Sequence, residues 1–313
     1  MKLFSINGQL GSGKSAVCDF LKKKYGFLLF STGMLHRQLA KERGVTSVQF
    51  NEIIKNDPSV DEMIDKACIG FYEENKGKNI VFDSRLAWHF VKETFKIFLV
   101  VAPSIAADRV FKSRIIEEHY HTKEDALTEL TYRRKLENER FIKTYDVDCN
   151  DYKNYDIIID TSSLEVEHVA QFIIAAYDKS IKSMEYDRVL CSPGNLYPTK
   201  KITALDMNRV ALYAEKFKHN EEIESILLLR YQNDLFIYDG HHRVMAANKI
   251  HKPIIAGRIE FQEHDKMPSG IFPEQYISLS LSNLRDWEDA CGLIFGYYPS
   301  VCHGQKCLSV TIT

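Results

Sequence analysis

The chain has 313 residues, which at ~150 residues per domain sets an expectation of about two domains, and its 45% apolar content excludes both disorder and a core that depends on disulfides. The 41 Lys and Arg against 43 Asp and Glu leave a formal charge of −2, which argues against a dedicated binder of nucleic acid or other polyanions. No apolar run approaches the ~18 residues of a membrane span, and the start, Met1-Lys2-Leu3-Phe4-Ser5-Ile6-Asn7, turns polar too early for a signal peptide, so a cytoplasmic protein without a membrane partner is expected.

Lys2 to Asn7 reads as a buried strand, Ser15 to Tyr25 as a helix, Phe27 to Phe30 as a strand, and Asn79 to Phe82 and Lys96 to Val101 as two more. Asp57-Pro58 has the form of an N-cap followed by proline at the first helical position, after which Val60, Ile64, Ala67 and Phe71 fall on one face. Thr122 with Asp125, and Ser162 with Glu165, have the form of capping boxes opening further helices, and Ile157 to Ile159 is a last apolar strand between them. Strands alternating with helices predict an α/β fold, a parallel sheet with helices on both faces.

After a helix ending near Lys182 the texture changes. Ser192-Pro193-Gly194-Asn195 and Pro198 punctuate a loop, and the break divides the chain into residues 1–183 and 184–313. A helix is expected from about Ala204, with Met207, Val210, Ala211, Ala214 and Phe217 in register, then a hairpin of Ile226 to Leu229 and Leu235 to Tyr238 around Gln232-Asn233-Asp234. Asp239-Gly240-His241-His242-Arg243, a short Ala-rich helix and a strand at Ile254 to Arg258 complete a smaller α+β domain.

Gly8-Gln9-Leu10-Gly11-Ser12-Gly13-Lys14-Ser15 fits GxxxxGKS between a buried strand and a helix, where that motif works as a phosphate loop. Glycines (Gly8, Gly11, Gly13) with Ser12 let the backbone wrap an anion, and the helix N-terminus adds positive potential. Lys14 is expected to bridge the β- and γ-phosphates of ATP and the Ser15 hydroxyl to bind Mg²⁺. In an open α/β sheet the acceptor lies at the carboxyl ends of the strands. Ser31, Thr32 and Arg37 follow the second strand; Asp83, a carboxylate for Mg²⁺, and Arg85 follow the third. Arg109 and Arg114 sit in a charged segment after the fourth, and Arg133 and Arg140 are seven residues apart on a later helix. Arginines gathered at one sheet edge suit a transferring phosphoryl group.

GxxxxGKS, then STGxxxR, DSR and RxxxxR, with Glu139-Arg140 and Tyr155-Asp156-Ile157-Ile158-Ile159-Asp160-Thr161, together resemble the cytidylate kinase-like nucleoside monophosphate kinases over about residues 1–180. The resemblance implies an ATP- and Mg²⁺-dependent phosphotransferase acting on CMP, dCMP or a related phosphorylated small molecule. By it Ser31, Thr32, Arg37 and Arg85 would hold the acceptor phosphate, and Arg109, Arg114, Arg133 and Arg140 would belong to a mobile lid or its hinge. His36 stands where these kinases usually have Tyr, and Ser84 where they usually have Gly.

The stretch Asp239-Gly240-His241-His242-Arg243 follows a strand and opens a helix, an anion-binding geometry as well as the pattern of a tight turn with a capping aspartate. Residues 189–259 resemble the ParB/sulfiredoxin superfamily, in which this turn binds nucleotide phosphates. Sulfiredoxins carry a cysteine where His241 stands, and ParB clamps two arginines, so DGHHR lies closer to the free-serine kinases of that superfamily. The resemblance implies a second nucleotide or small-metabolite site using Asp239, Gly240, His241, His242 and Arg243, as a second kinase or as a nucleotide-gated binding module. The seven scattered cysteines are expected to be reduced, and Cys302, His303 and Cys307, with Cys291, form no complete zinc pattern. An alternating strand is expected at Leu308 to Thr313.

Overall fold

The computed structural model describes residues 1–54, 58–118, 122–277 and 281–295. The chain forms two compact units, Met1–Glu185 and Tyr186–Thr313.

The first unit runs β1 (Leu3–Gly8), α1 (Lys14–Tyr25), β2 (Leu28–Ser31), α2 (Thr32–Glu42), α3 (Ser47–Ile54), α4 (Pro58–Glu74), β3 (Ile80–Asp83), α5 (Ala87–Phe90), β4 (Phe95–Val100), α6 (Pro103–Glu118), α7 (Lys123–Tyr145), β5 (Ile157–Asp160) and α8 (Val166–Ser180). Its strands lie in the order β2-β3-β1-β4-β5, and every pairing is parallel. β1, β3 and β5 are buried at every position, which is why β3 and β5 read as apolar runs, each closing on an aspartate, rather than as alternation. α1 turns Val17, Cys18 and Leu21 inward and packs beside α8, which turns in Val169, Ala170 and Ile173. Register places Ser31 and Ile6 opposite Asp83, so the carboxyl ends of β2, β3 and β1 meet at one edge.

Two helix starts differ in outcome. Thr122 Oγ accepts from the Asp125 N–H at 3.0 Å and caps α7 as expected. Ser162 does not cap α8: its hydroxyl donates to Asp160 Oδ1 at 2.6 Å and accepts from the Ala102 N–H, and the helix begins after Glu165. A nearer carboxylate has taken the hydroxyl that the spacing assigned to the helix. Asp57 lies outside the described residues.

The second unit runs β6 (Val189–Cys191), β7 (Tyr197–Pro198), α9 (Met207–Lys218), β8 (Ile226–Tyr231), β9 (Asp234–Asp239), α10 (His241–Lys249), β10 (Ile255–Phe261), α11 (Pro273–Tyr276) and α12 (Leu281–Cys291). Its strands lie in the order β6-β10-β8-β9-β7. β10 is antiparallel to β6 and parallel to β8, the β8–β9 hairpin is antiparallel, and β7 runs parallel to β9. Pro198 is tolerated because β7 ends this order. The hairpin turn is Gln232-Asn233, with Gln232 at φ 53°, and Asp234 already belongs to β9. α9 starts three residues later than the periodicity suggests, at the Asp206 cap, since Ile202–Ala204 forms a separate 3₁₀ turn; Val210 and Phe217 are buried while Met207 faces solvent. The Ala-rich α10 buries Val244, Met245, Ala246 and Ala247. Among the described residues no helix is long and apolar enough to cross a membrane.

Candidate active site

Gly8–Ser15 joins β1 to α1 as a tight loop. A Cβ on Gly11 would lie 2.6 Å from Ala106 Cα in α6, and its φ of 71° is in the left-handed region, so packing and backbone both require glycine. A Cβ on Gly8 would sit 2.7 Å from the Leu99 carbonyl of β4. Gln9 N–H donates to that carbonyl at 2.7 Å, which docks the loop entrance on the neighbouring strand.

Asp83, the last residue of β3, is the hub. The Lys14 ammonium forms an ion pair with its Oδ1, and its Oδ2 accepts from Ser15 Oγ at 2.8 Å and Ser31 Oγ at 3.3 Å. Burial pushes the Asp83 carboxyl up, but the Lys14 charge and the hydroxyl donors outweigh it and hold the group below the usual carboxylate range. Thr32 Oγ1 reaches the Asp83 carbonyl at 3.4 Å.

A cavity of about 700 Å³ opens from this loop. Arg37 and Arg85 line it, and Arg37 has no ion-pair partner among the described residues. Arg85 is paired through Nε to Glu137 of α7, and Arg140 Nε lies 2.6 Å from Asp61 Oδ2 of α4, both pairs largely buried. Arg109 lines the same cavity and is bonded to the loop and its surroundings: its Nη1 donates to Gly11 O at 3.3 Å and Thr161 Oγ1 at 3.2 Å, and its Nη2 to Thr161 O at 2.9 Å. Arg114 is on α6 and Arg133 on α7, and their side chains lie outside the described residues. The His36 ring packs edge-on against Phe50 at 4.8 Å. Ser84 accepts from the N–H groups of Leu86 and Ala87, which gives its hydroxyl a role at the start of α5 that glycine lacks.

The same cavity is lined by residues that the motifs did not single out. Asp61, Asp65, Ile64, Cys68, Phe90 and Phe141 line it. Tyr145 donates to the Asp65 carboxylate, and burial pushes the Asp65 carboxyl up to about 6. Arg134 of α7 donates to the Gly8 carbonyl at 3.0 Å and to Asn150 Oδ1, its guanidinium stacking 5.7 Å from the Phe98 ring; burial and the neighbouring Arg85 pull it down to about 10. Glu137, Arg134 and Asp61 lie far in sequence from the groups they meet, and no local spacing marks them.

In the second unit Gly240 is left-handed at the start of α10. His241 is buried, its Nε2 accepts from the Thr199 N–H at 3.1 Å, and its Nδ1 has no hydrogen-bond partner among the described residues; burial and then Lys200 pull its pKa down to about 3. His242 Nε2 accepts from the Asp206 N–H at 3.0 Å. Arg243 is occupied by the fold, donating to the Glu224 and Ser225 carbonyls at 2.8 and 3.1 Å and to Asp239 Oδ2 at 2.8 Å. Cys291 is buried, no cluster of three or more His, Cys, Asp or Glu side chains placed to hold a metal occurs among the described residues, and Cys302, His303, Cys307 and Leu308 to Thr313 lie outside them.

A family model described as an AAA domain matches residues 5–130. A cytidylate kinase of Methanocella arvoryzae is 34% identical over 181 residues, 58% of this chain and 99% of the relative. One of Pyrococcus abyssi is 33% identical over 177 residues, 56% of this chain and 93% of the relative. An S-adenosylmethionine-dependent nucleotide dehydratase of Lacinutrix mariniflava is 34% identical over 177 residues, 56% of this chain but 36% of that protein.

Proposed function

The chain belongs, through its N-terminal unit, to the cytidylate kinase family, and we propose on that premise that it transfers the γ-phosphoryl group of ATP to a nucleoside monophosphate of the CMP or dCMP class. The observation that carries the reading is the hub at Asp83, where Lys14 and Ser15 of the phosphate loop meet Ser31 at one strand edge, with Arg37 and Arg85 in the same cavity.

The donor set suits Mg²⁺: the Asp83 carboxylate and Ser15 hydroxyl are hard oxygen ligands 2.8 Å apart. Bound there, Mg²⁺ would neutralise charge on the β- and γ-phosphate oxygens. Lys14 adds a fixed positive charge on the same side, and the loop's backbone N–H groups hold the triphosphate. Arg37, Arg85, Ser31 and Thr32 grip the acceptor phosphate. No protein nucleophile is needed, since alignment and charge stabilisation supply the rate. Asp61 and Asp65, which line the same cavity, offer acceptors for the exocyclic amino group of cytosine, which uracil lacks.

The test is ATP turnover with a panel of nucleoside and deoxynucleoside monophosphates. Turnover with CMP or dCMP, abolished by Lys14→Ala, is expected. A panel in which no monophosphate stimulates turnover overturns this acceptor class.

For the second unit we propose a ParB/sulfiredoxin-like nucleotide-binding domain. Support comes from the left-handed Gly240 at the head of α10 and from a ring nitrogen of the buried His241 that has no partner among the described residues. The alternative activity, phosphorylation of a hydroxyl metabolite such as a free amino acid, predicts turnover sensitive to Asp239→Asn in a chain whose Lys14 is intact.

A further inference from the structure

The concave side of a phosphate loop presents N–H groups to a ligand, so its carbonyls must turn the other way. In a planar trans peptide the C=O and N–H point in opposite directions, and whatever holds the carbonyl also aims the following N–H. Three carbonyls of this loop are held from outside by side chains remote in sequence. Arg134 of α7 donates to Gly8 O at 3.0 Å. Arg109 of α6 donates to Gly11 O at 3.3 Å. Thr161, just after β5, donates to Ser12 O at 2.9 Å, with Val100 O at 3.2 Å its other acceptor, and accepts from Arg109 Nη1.

The contacts divide the work. The Gly8 carbonyl points to Arg134 and the Gln9 N–H to Leu99 O, so the first peptide of the loop is fixed on both sides. The Ser12 carbonyl points to Thr161, which turns the Gly13 N–H toward the concave face directly before Lys14. Arg134 is itself fixed: Asn150 Oδ1 accepts from its Nε and Nη2, Phe98 lies under its guanidinium, and no carboxylate pairs with it among the described residues. Its positive charge therefore stays on the outer side of the loop.

We propose that Arg134 and Thr161 are positioning residues that hold the phosphate loop in its ATP-binding form from the outer side. This rests on reading Gly8–Ser15 as the ATP site, and it does not depend on which monophosphate accepts the phosphoryl group.

The experiment measures binding of MgATP and of CMP separately, by calorimetry on the full chain, for wild type, Arg134→Met, Arg134→Lys, Thr161→Val and Thr161→Ser, alongside melting temperature and steady-state turnover. Loss of a charge-assisted or buried hydrogen bond predicts MgATP affinity reduced about tenfold or more in Arg134→Met and Thr161→Val. CMP affinity stays unchanged, and Lys and Ser at these positions recover most of the loss. Wild-type MgATP affinity in Thr161→Val overturns the proposal, as does an equal loss of MgATP and CMP affinity, which marks a general structural defect. If Arg134→Met does not fold, Thr161→Val against Thr161→Ser decides. A wild type that binds MgATP but phosphorylates no monophosphate refutes the function proposed above while the MgATP comparison still decides the role of the clamp. A wild type that does not bind MgATP overturns both.

Discussion

The Lys14 ammonium rests against the Asp83 carboxylate, joining the start of α1 to the end of β3 at the edge where β1, β2 and β3 finish. One carboxylate thereby holds the loop lysine, the loop serine and the hydroxyl that caps α2. Asp83→Asn keeps the shape and removes the charge. ATP turnover should fall about a hundredfold or more, because both charge neutralisation and the alignment of Lys14 are lost. A coupled assay with CMP checks this, and turnover within threefold of wild type would exclude the assigned role.

Glu137 takes the Nε edge of Arg85, and both residues line the cavity. Glu137→Gln should therefore raise the KM for the monophosphate about tenfold while the KM for ATP changes little, since a charge-assisted contact becomes a neutral one. Arg85→Lys should be worse, because an ammonium cannot serve Glu137 and a phosphate from two edges at once. Steady-state kinetics with each substrate varied in turn separates the two.

Asp61 and Arg140 form a pair whose side chains are 6% and 7% exposed. Asp61→Asn leaves a buried guanidinium without its counter-charge and should destabilise the first unit by about 3 kcal/mol. The double variant Asp61→Leu, Arg140→Met removes both charges and should recover much of that loss. Denaturant unfolding of the three proteins gives the comparison; a single variant as stable as wild type would show that the pair does not matter to stability.

Asp234 opens β9 in a buried position, and burial pushes its carboxyl from 3.8 up to about 7. A carboxyl raised in the folded state contributes most to stability while protonated in both states, below about pH 4. Its contribution is lost as pH rises toward 7. Asp234→Asn should melt a few degrees higher than wild type at pH 8 and about equally at pH 4, a gain on the order of 1 kcal/mol at the higher pH. Asp83, held below the usual carboxylate range, has the opposite sign: its contribution is present at neutral pH and is lost as pH falls through its depressed pKa. Melting curves of both variants across pH test the two signs together.

Gly240 has φ 102°, and a Cβ there would lie 2.6 Å from Ile226 Cγ2. Gly240→Ala should destabilise the second unit by about 2 kcal/mol, from backbone conformation and overpacking combined. The double variant with Ile226→Ala relieves only the packing part, which calorimetric unfolding resolves.

The parallel sheet and its order of helices were legible because continuous apolar strands and punctuating glycines are local signals. The GxxxxGKS stretch is likewise contiguous, and it lies between β1 and α1 where the pattern puts it. Other features were not legible. The helix spacing that drew attention to Arg133 and Arg140 did not reveal Arg134 and Glu137, whose partners Gly8 and Arg85 are brought near only by the fold. Ser162 has the spacing of a cap, but Asp160 is two residues away and takes its hydroxyl. The wall of Asp61 and Asp65 comes from α4, whose amphipathic pattern advertises its apolar face and not the carboxylates beside it.

β3 reads Ile80-Val81-Phe82-Asp83, buried throughout and apolar until its last residue. Hydrophobicity alone cannot set such a ribbon against its neighbours, because sliding it one position exchanges one greasy side chain for another. The charge at its tip can: one step out of line, Asp83 would be driven to the opposite face and Lys14 left alone. The aspartate to which we assign phosphate chemistry thus also indexes the strand, so a single-residue deletion upstream within β3 would be expected to abolish ATP turnover while leaving the protein's interior just as oily.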